Sequence, residues 1–357
     1  MLRRFALLLP FAVLSGCSIQ GGPQGTPGLA RSAASMPASG TAMAMDDHMA
    51  HMSRDDLMAP VSGPYVDEQP GIQGLPPSNS QAAARLRSSP RHGEWVKAPY
   101  APGSPDSLML WVVYPFSKDS RSKAPVVVVV HEIFGLSSWV RAVADQVAAD
   151  GFIAVAPDFL SRARGELTST ELAPDSARRL IASVDAAERN RIIIAAANYA
   201  MMLPSAQQTY AVIGFCWGGQ TTFMHAVHGG VKGFAGGVAY YGLPYITGGT
   251  PATATTAAVP ASVNADSIGR IRVPMMLLNG SKDARIAAAM PALDSMMKAM
   301  SKPYTGINYE GAVHGFLRAQ DDPKATRDPA EEAANLAASK DAWPRTIAFL
   351  RQQLGVK

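Results

Sequence analysis

The stretch Tyr210-Ala211-Val212-Ile213-Gly214-Phe215-Cys216-Trp217-Gly218-Gly219-Gln220 decides how this chain folds. Its first half is a short apolar run bounded by glycine, the character of a buried strand. From Gln220 to Val227 the spacing becomes helical. At the junction stands Gly214-x-Cys216-x-Gly218, the G-x-S-x-G pattern with Cys in the Ser position. Glycine on either side permits a turn sharp enough to expose the central side chain. A helix that starts there favours negative charge on the sulfur. The pattern predicts a thiol nucleophile on a strand–turn–helix elbow, and no G-x-S-x-G elsewhere competes with it.

Strand and helix signals alternate on both sides of this elbow. Residues 108–114 and 152–156 read as strands, and 126–130 is an unbroken valine run suited to a strand buried on both faces. Further strands are expected at 234–240, 274–278 and 305–309. Helices are expected at 139–149, from Pro174 to Leu203 with a break near Asn190, at 287–300, and at 330–354 with an interruption before Pro344. This alternation predicts an α/β domain over 92–357, with a mostly parallel central sheet and helices on both faces. The 357 residues are 47% hydrophobic and 17% charged, enough for a large core and against global disorder. A net charge of +4, scattered along the chain, gives no footprint for nucleic acid. Two cysteines exclude a disulfide scaffold.

A nucleophile of this kind needs a base and an orienting acid, which follow it in the order acid, base. Asn279-Gly280-Ser281-Lys282-Asp283 and Gly311-Ala312-Val313-His314-Gly315-Phe316 both follow strand ends, where loops of a parallel sheet meet. His314 is the only His after His228. His225 and His228 lie on the helix leaving the elbow and read as structural. Asp283 leads as the acid, with Asp266 in a Thr/Ala-rich insertion and Asp294 in a helix as competitors.

Four separated motifs now stand together: His131-Glu132-Ile133-Phe134-Gly135, Ala156-Pro157-Asp158, Gly214-Phe215-Cys216-Trp217-Gly218-Gly219 and His314-Gly315-Phe316. With them the chain resembles the dienelactone hydrolase family of α/β-hydrolases over most of residues 94–355. The resemblance implies a Cys216–Asp283–His314 triad that hydrolyses a small ester or lactone through a thioester, without metal or cofactor. It implies that Glu132 contacts the resting thiol and that the backbone N–H groups of Ile133 and Trp217 form the oxyanion hole. It also implies that Arg162 and Arg318 bind a substrate carboxylate, for which guanidinium is suited. Leu160 stands where the family pattern has Tyr, and the Gly-, Ala- and Thr-rich segment 247–268 is longer than the family connection. That segment is expected to pack loosely, as a mobile cover or a solvated insertion. The rival readings are a catalytically silent α/β-hydrolase binding module and a metal-handling lipoprotein.

The N-terminus reads as an address. Met1-Leu2-Arg3-Arg4 precedes an apolar run from Phe5 to Leu14, too short to span a bilayer as a helix. Leu14-Ser15-Gly16-Cys17 resembles the lipobox of bacterial lipoproteins, which implies removal of residues 1–16 and lipidation of Cys17. The expected location is extracytoplasmic and membrane-anchored. Residues 17–91 then read as the lipidated Cys and a disordered tether, since 18–91 holds nine Pro and eight Gly with Tyr65 as its one aromatic. Within it, the tract Met43-Ala44-Met45-Asp46-Asp47-His48-Met49-Ala50-His51-Met52 reads as a biased spacer; thioether and imidazole groups would suit copper. Cys17→Ser should move the protein from the membrane to the soluble fraction without changing turnover. Continued membrane fractionation of that variant would refute the lipobox reading.

Overall fold

The computed structural model describes residues 69–101, 103–116, 122–164, 172–243, 245–250, 252–321 and 328–356. Cys17, the leader, the Met/His tract and the tether up to residue 68 lie outside the described residues. Among the described residues no helix is long and apolar enough to cross a membrane.

One eight-stranded sheet organises the molecule, in the order β1-β2-β4-β3-β5-β6-β9-β10. Its strands are β1 (Gly93–Pro99), β2 (Ser107–Val113), β3 (Ala124–Val130), β4 (Ile153–Pro157), β5 (Ala206–Phe215), β6 (Phe234–Tyr240), β9 (Met275–Gly280) and β10 (Tyr304–Tyr309). β2 runs antiparallel to both β1 and β4, and every other pairing is parallel. Successive residues of a strand point to opposite faces, yet Val126 to Val130 are all fully buried. Both faces of β3 are therefore covered, which is why this run carries no polar alternation.

The covering helices are α1 (Ala82–Ser88), α2 (Ser138–Ala149), α3 (Ser161–Arg164), α4 (Pro174–Ala182), α5 (Ala186–Met201), α6 (Trp217–His228), α7 (Ala265–Arg270), α8 (Ala284–Ala299), α9 (Phe316–Ala319) and α10 (Pro329–Leu354). The break expected near Asn190 falls earlier, between α4 and α5, because Asp185 caps α5 by accepting from Glu188 N–H at 2.7 Å. Asn190 instead sits inside α5, its Oδ1 bonded to His225 Nδ1 at 2.7 Å. His225 Nε2 meets the Tyr210 hydroxyl at 2.9 Å, and burial lowers the imidazole pKa to about 3. His225 is structural, as its position on the elbow helix suggested. The interruption before Pro344 does not occur: α10 runs through it. The carbonyl that Pro344 leaves without its helical donor belongs to Lys340, an exposed residue.

One expectation is corrected and a second is refined. First, the ordered chain does not begin at residue 92: Leu75, Ser78, Ser80 and Gln81 are buried, and α1 packs on α2. Averaged composition hid this segment, because specific polar bonds to α2 add to the few apolar residues it buries, Leu75, Ala82 and Ala84. Asp145 of α2 accepts from Arg85 Nε at 2.6 Å, from Arg91 Nε at 2.8 Å and Nη2 at 2.6 Å, and from the Ser89 hydroxyl. Second, the 247–268 segment is solvated at its tip, residues 252–260 all being exposed, but structured at its base. It contains a hairpin of β7 (Ile246–Thr247) and β8 (Ser262–Val263), extended by a reciprocal bridge between Thr250 and Val259. Gly249 lies so near α8 that a Cβ would stand 3.1 Å from the Ala289 side chain.

Burial alone would raise the Asp145 carboxyl pKa, but the donors from Arg91, Ser89 and Arg85 hold it below the ordinary value. A depressed folded-state value contributes stability above the unfolded pKa of about 3.9, lost as pH falls through the folded value. Asp145→Asn strands two guanidinium groups and should cost ~3–5 kcal/mol in chemical denaturation at pH 7. A loss below about 1 kcal/mol, the scale of a surface pair, would contradict this account of the segment.

Candidate active site

Cys216 occupies the turn between β5 and α6 with φ 55° and ψ −117°, a conformation that L-residues seldom adopt. The glycines around it are required by contact. A Cβ on Gly214 would lie 2.1 Å from the Gly218 carbonyl oxygen, and one on Gly218 would lie 2.4 Å from the Val130 carbonyl oxygen. Gly242, after β6, would bring a Cβ to 2.4 Å from the Cys216 carbonyl oxygen. Three backbone segments thus converge on one turn, and Cys216 N–H donates to the Tyr240 carbonyl at 3.0 Å to fix it.

The loops after β9 and β10 are tied to each other. Ser281 N–H donates to the Tyr309 carbonyl at 2.8 Å, and Lys282 N–H to the Ala312 carbonyl at 3.0 Å. Gly311 N–H donates to Ser281 Oγ at 2.8 Å, and Val313 N–H to Asn335 Oδ1 at 3.0 Å. This lattice brings Asp283 Oδ2 to 2.7 Å from His314 Nδ1. Asp283 also caps α8, accepting from Ile286 N–H at 3.3 Å, so its carboxylate is held from two sides. The competitors lie elsewhere: Asp266 is in the first turn of α7, and Asp294 of α8 interacts with Tyr304. His314 Nε2 is buried and turned toward Cys216, close enough for the two groups to interact although the contact falls short of an aligned hydrogen bond. Burial opposes charge on this imidazole, but Cys216 and Asp283 outweigh it and raise its pKa well above the ordinary value.

Glu132 and Arg318 meet beside this pair, with Arg318 Nε 3.4 Å from Glu132 Oε2 and both side chains more than nine-tenths buried. The guanidinium carbon lies 5.1 Å from the Phe134 ring centre. Ile133 follows Glu132 and is buried. Trp217 is the first residue of α6, so its N–H is among the helix-start donors without an intrahelical acceptor. His131 braces the strand end that carries these residues. Its Nε2 accepts from Phe159 N–H at 3.2 Å, which leaves Nδ1 to donate to the Glu132 carbonyl at 2.6 Å. Burial, partly offset by Asp158, lowers the His131 pKa and keeps the ring neutral.

Arg162 is not brought into this group. Its guanidinium pairs with Glu188 at 2.8 Å and Asp106 at 3.1 Å, and lies 3.8 Å from the Tyr100 ring centre. Motif alignment fixed its place after β4 but could not show that two carboxylates and a ring would engage its charge. Conversely, sequence reasoning gave no role to Tyr241. It is fully buried at φ 38°, with its ring centre 5.0 Å from that of His314. Burial, then the neighbouring Glu132 and Cys216, push its hydroxyl pKa far up, so the buried hydroxyl stays neutral. The available signal was Tyr240-Tyr241-Gly242 at the C-terminal end of a strand beside the elbow.

Comparison with known proteins agrees with this architecture. A profile of the Dienelactone hydrolase family matches residues 112–354. An Escherichia coli protein bearing the provisional name carboxymethylenebutenolidase is 25% identical over 285 residues, 80% of this chain and 97% of the relative. A Synechocystis protein with the same provisional name is 29% identical over 236 residues, 64% of this chain and 87% of the relative. A Klebsiella pneumoniae crystal structure, provisionally titled a dienelactone hydrolase, superposes with TM-score 0.57 at 23% identity, covering 73% of this chain and 99% of its own.

The raised His314 pKa has a testable sign. Its pairing contributes stability below the ordinary histidine pKa of about 6.5, lost as pH rises through the raised value. Cys216→Ala removes the largest raising influence, so the His314 titration followed by NMR should move down. An unmoved titration would show that Cys216 and His314 do not interact.

Proposed function

Because the chain belongs to the dienelactone hydrolase family, we propose that it hydrolyses a carboxylic ester or lactone through a thioester on Cys216. The observation that carries this reading is the 2.7 Å Asp283–His314 contact beside a cysteine held at a strained elbow. Asp283 fixes His314 with Nδ1 protonated, leaving Nε2 to take the proton of the Cys216 thiol. The thiolate attacks the substrate carbonyl carbon, and the oxygen that gains charge is met by the N–H groups of Ile133 and Trp217. Each such donor is worth ~2.7–4 kcal/mol where it has been removed from comparable sites. Collapse breaks the C–O bond, and His314 returns its proton to the leaving oxygen. Water then gives a proton to His314 and attacks the thioester; collapse releases the acid and restores the thiol. Glu132 is the resting partner of the thiol in this reading.

Arg318 is the cation for a substrate carboxylate, because it lies buried with Glu132 three residues before the loop end at Asp321 and four after His314, whereas Arg162 pairs with Asp106 and Glu188. The location goes with the same proposal: the Leu14-Ser15-Gly16-Cys17 signature supports an extracytoplasmic hydrolase anchored through lipid on Cys17.

Cys216→Ala should reduce turnover of chromogenic esters by more than about 10³-fold while the fold stays intact by circular dichroism. Arg318→Ala should weaken acidic esters over neutral ones by ~1.5–3 kcal/mol, and Arg162→Ala should affect both equally. Residual Cys216→Ala activity within about tenfold of the parent would exclude the thioester route.

A further inference from the structure

The segment over residues 71–91 is fixed at one end and grips the active-site loop at the other. Its fixed end is the Arg85–Arg91–Asp145 cluster on α2, joined by Trp139 Nε1 donating to the Pro77 carbonyl at 3.0 Å. Its gripping end bonds three positions downstream of His314. Asn79 N–H donates to the Arg318 carbonyl at 2.9 Å. Gln320 Nε2 donates to the Pro76 carbonyl at 3.0 Å. Gln81 Nε2 donates to Asp321 Oδ2 at 3.2 Å and to its carbonyl at 3.4 Å, while Gln81 Oε1 accepts from Ser78 N–H at 3.2 Å.

The gripped loop needs an external hold. Arg318 lies in α9, a helix of only four residues, too short to be stable by its own hydrogen bonds. Asp321, which ends the turn, sits at φ 49°, a strained conformation that surrounding contacts must maintain. Gln81 and Gln320 are buried, so their bonds are not exchanged freely with water. The loop carries the Arg318 guanidinium to within 3.4 Å of Glu132 beside Cys216, and an ångström of loop movement would displace that charge.

We propose that residues 71–91 form a strap that positions Arg318 beside Cys216 and so sets the preference for anionic acyl groups. This rests on Arg318 being the carboxylate-binding cation of the proposed function, and it names Gln81 as a positioning residue.

The test uses the full chain and two alkylating probes of Cys216, anionic iodoacetate and neutral iodoacetamide. In each, the sulfur–carbon bond forms as iodide leaves, so the rate ratio reads the charge beside the sulfur without requiring ester turnover. Arg318→Met should lower the iodoacetate-to-iodoacetamide ratio by about tenfold, the scale of one nearby buried charge. Gln81→Met keeps the side-chain volume and loses the bonds; it should lower the ratio at least about threefold and leave the iodoacetamide rate unchanged. Asp321→Gly accepts φ 49° without strain, removes the carboxylate that Gln81 holds, and should lower the ratio in the same direction. A parental ratio in both Gln81→Met and Asp321→Gly would overturn the strap, as would a parental ratio in Arg318→Met. A lowered ratio in an enzyme that turns over no ester would count against the hydrolase reading and leave the strap standing.

Discussion

Close backbone packing around Cys216 is the constraint on which the rest of the structure depends. Gly214, Gly218 and Gly242 each leave a side-chain position filled by another segment's carbonyl oxygen, from Gly218, Val130 and Cys216 respectively. Those contacts lock the end of β5, the start of α6, the end of β3 and the exit of β6 into one unit. A larger residue at any of these positions would have to move backbone, not a flexible side chain. The same packing explains why Glu132, Ile133, Trp217 and Tyr241 are buried near the elbow: they are chain neighbours of the residues that make the turn. The strained φ of Cys216 persists because these contacts over-determine it.

Much of this was legible because the fold writes itself in local signals. The valine run of β3 announced a strand buried on both faces, and the glycine spacing announced the elbow before helical spacing began. Asp283 and His314 were readable from strand ends and chain order, although only their 2.7 Å contact separates Asp283 from Asp266 and Asp294. What was hidden depends on long-range pairing. Arg162 aligns with a substrate-binding position, yet its charge is engaged by Asp106 and Glu188, 56 and 26 residues away in the chain. The hairpin inside 247–268 is held by backbone pairing and close approach to α8, neither of which composition records. The ordered segment after residue 69 was averaged away within a Pro- and Gly-rich stretch, because Arg85, Arg91 and Gln81 act on partners far along the chain.

The polar groups of the site are buried together and depend on one another. His314, Asp283, Glu132 and Arg318 are each less than a tenth exposed, a setting in which an unmatched charge is costly and a matched one is strongly felt. The elements that supply them also hold the loops: Asp283 caps α8, His131 steadies the peptide of Glu132, and Asn335 of α10 bonds the loop before His314. Positioning and chemistry are thus carried by the same hydrogen bonds, and the strap adds a further hold from the N-terminal side.

The central claim is that Cys216 carries the acyl group. Rapid mixing of the full chain with an excess of an activated ester, acid quench and peptide mass spectrometry tests it most directly. The account predicts a transient mass increase of one acyl group, confined to the peptide bearing Cys216 and removed by hydroxylamine as a thioester would be. Steady ester turnover with no acylated Cys216 peptide at any quench time, or an acyl group on another residue, would contradict it.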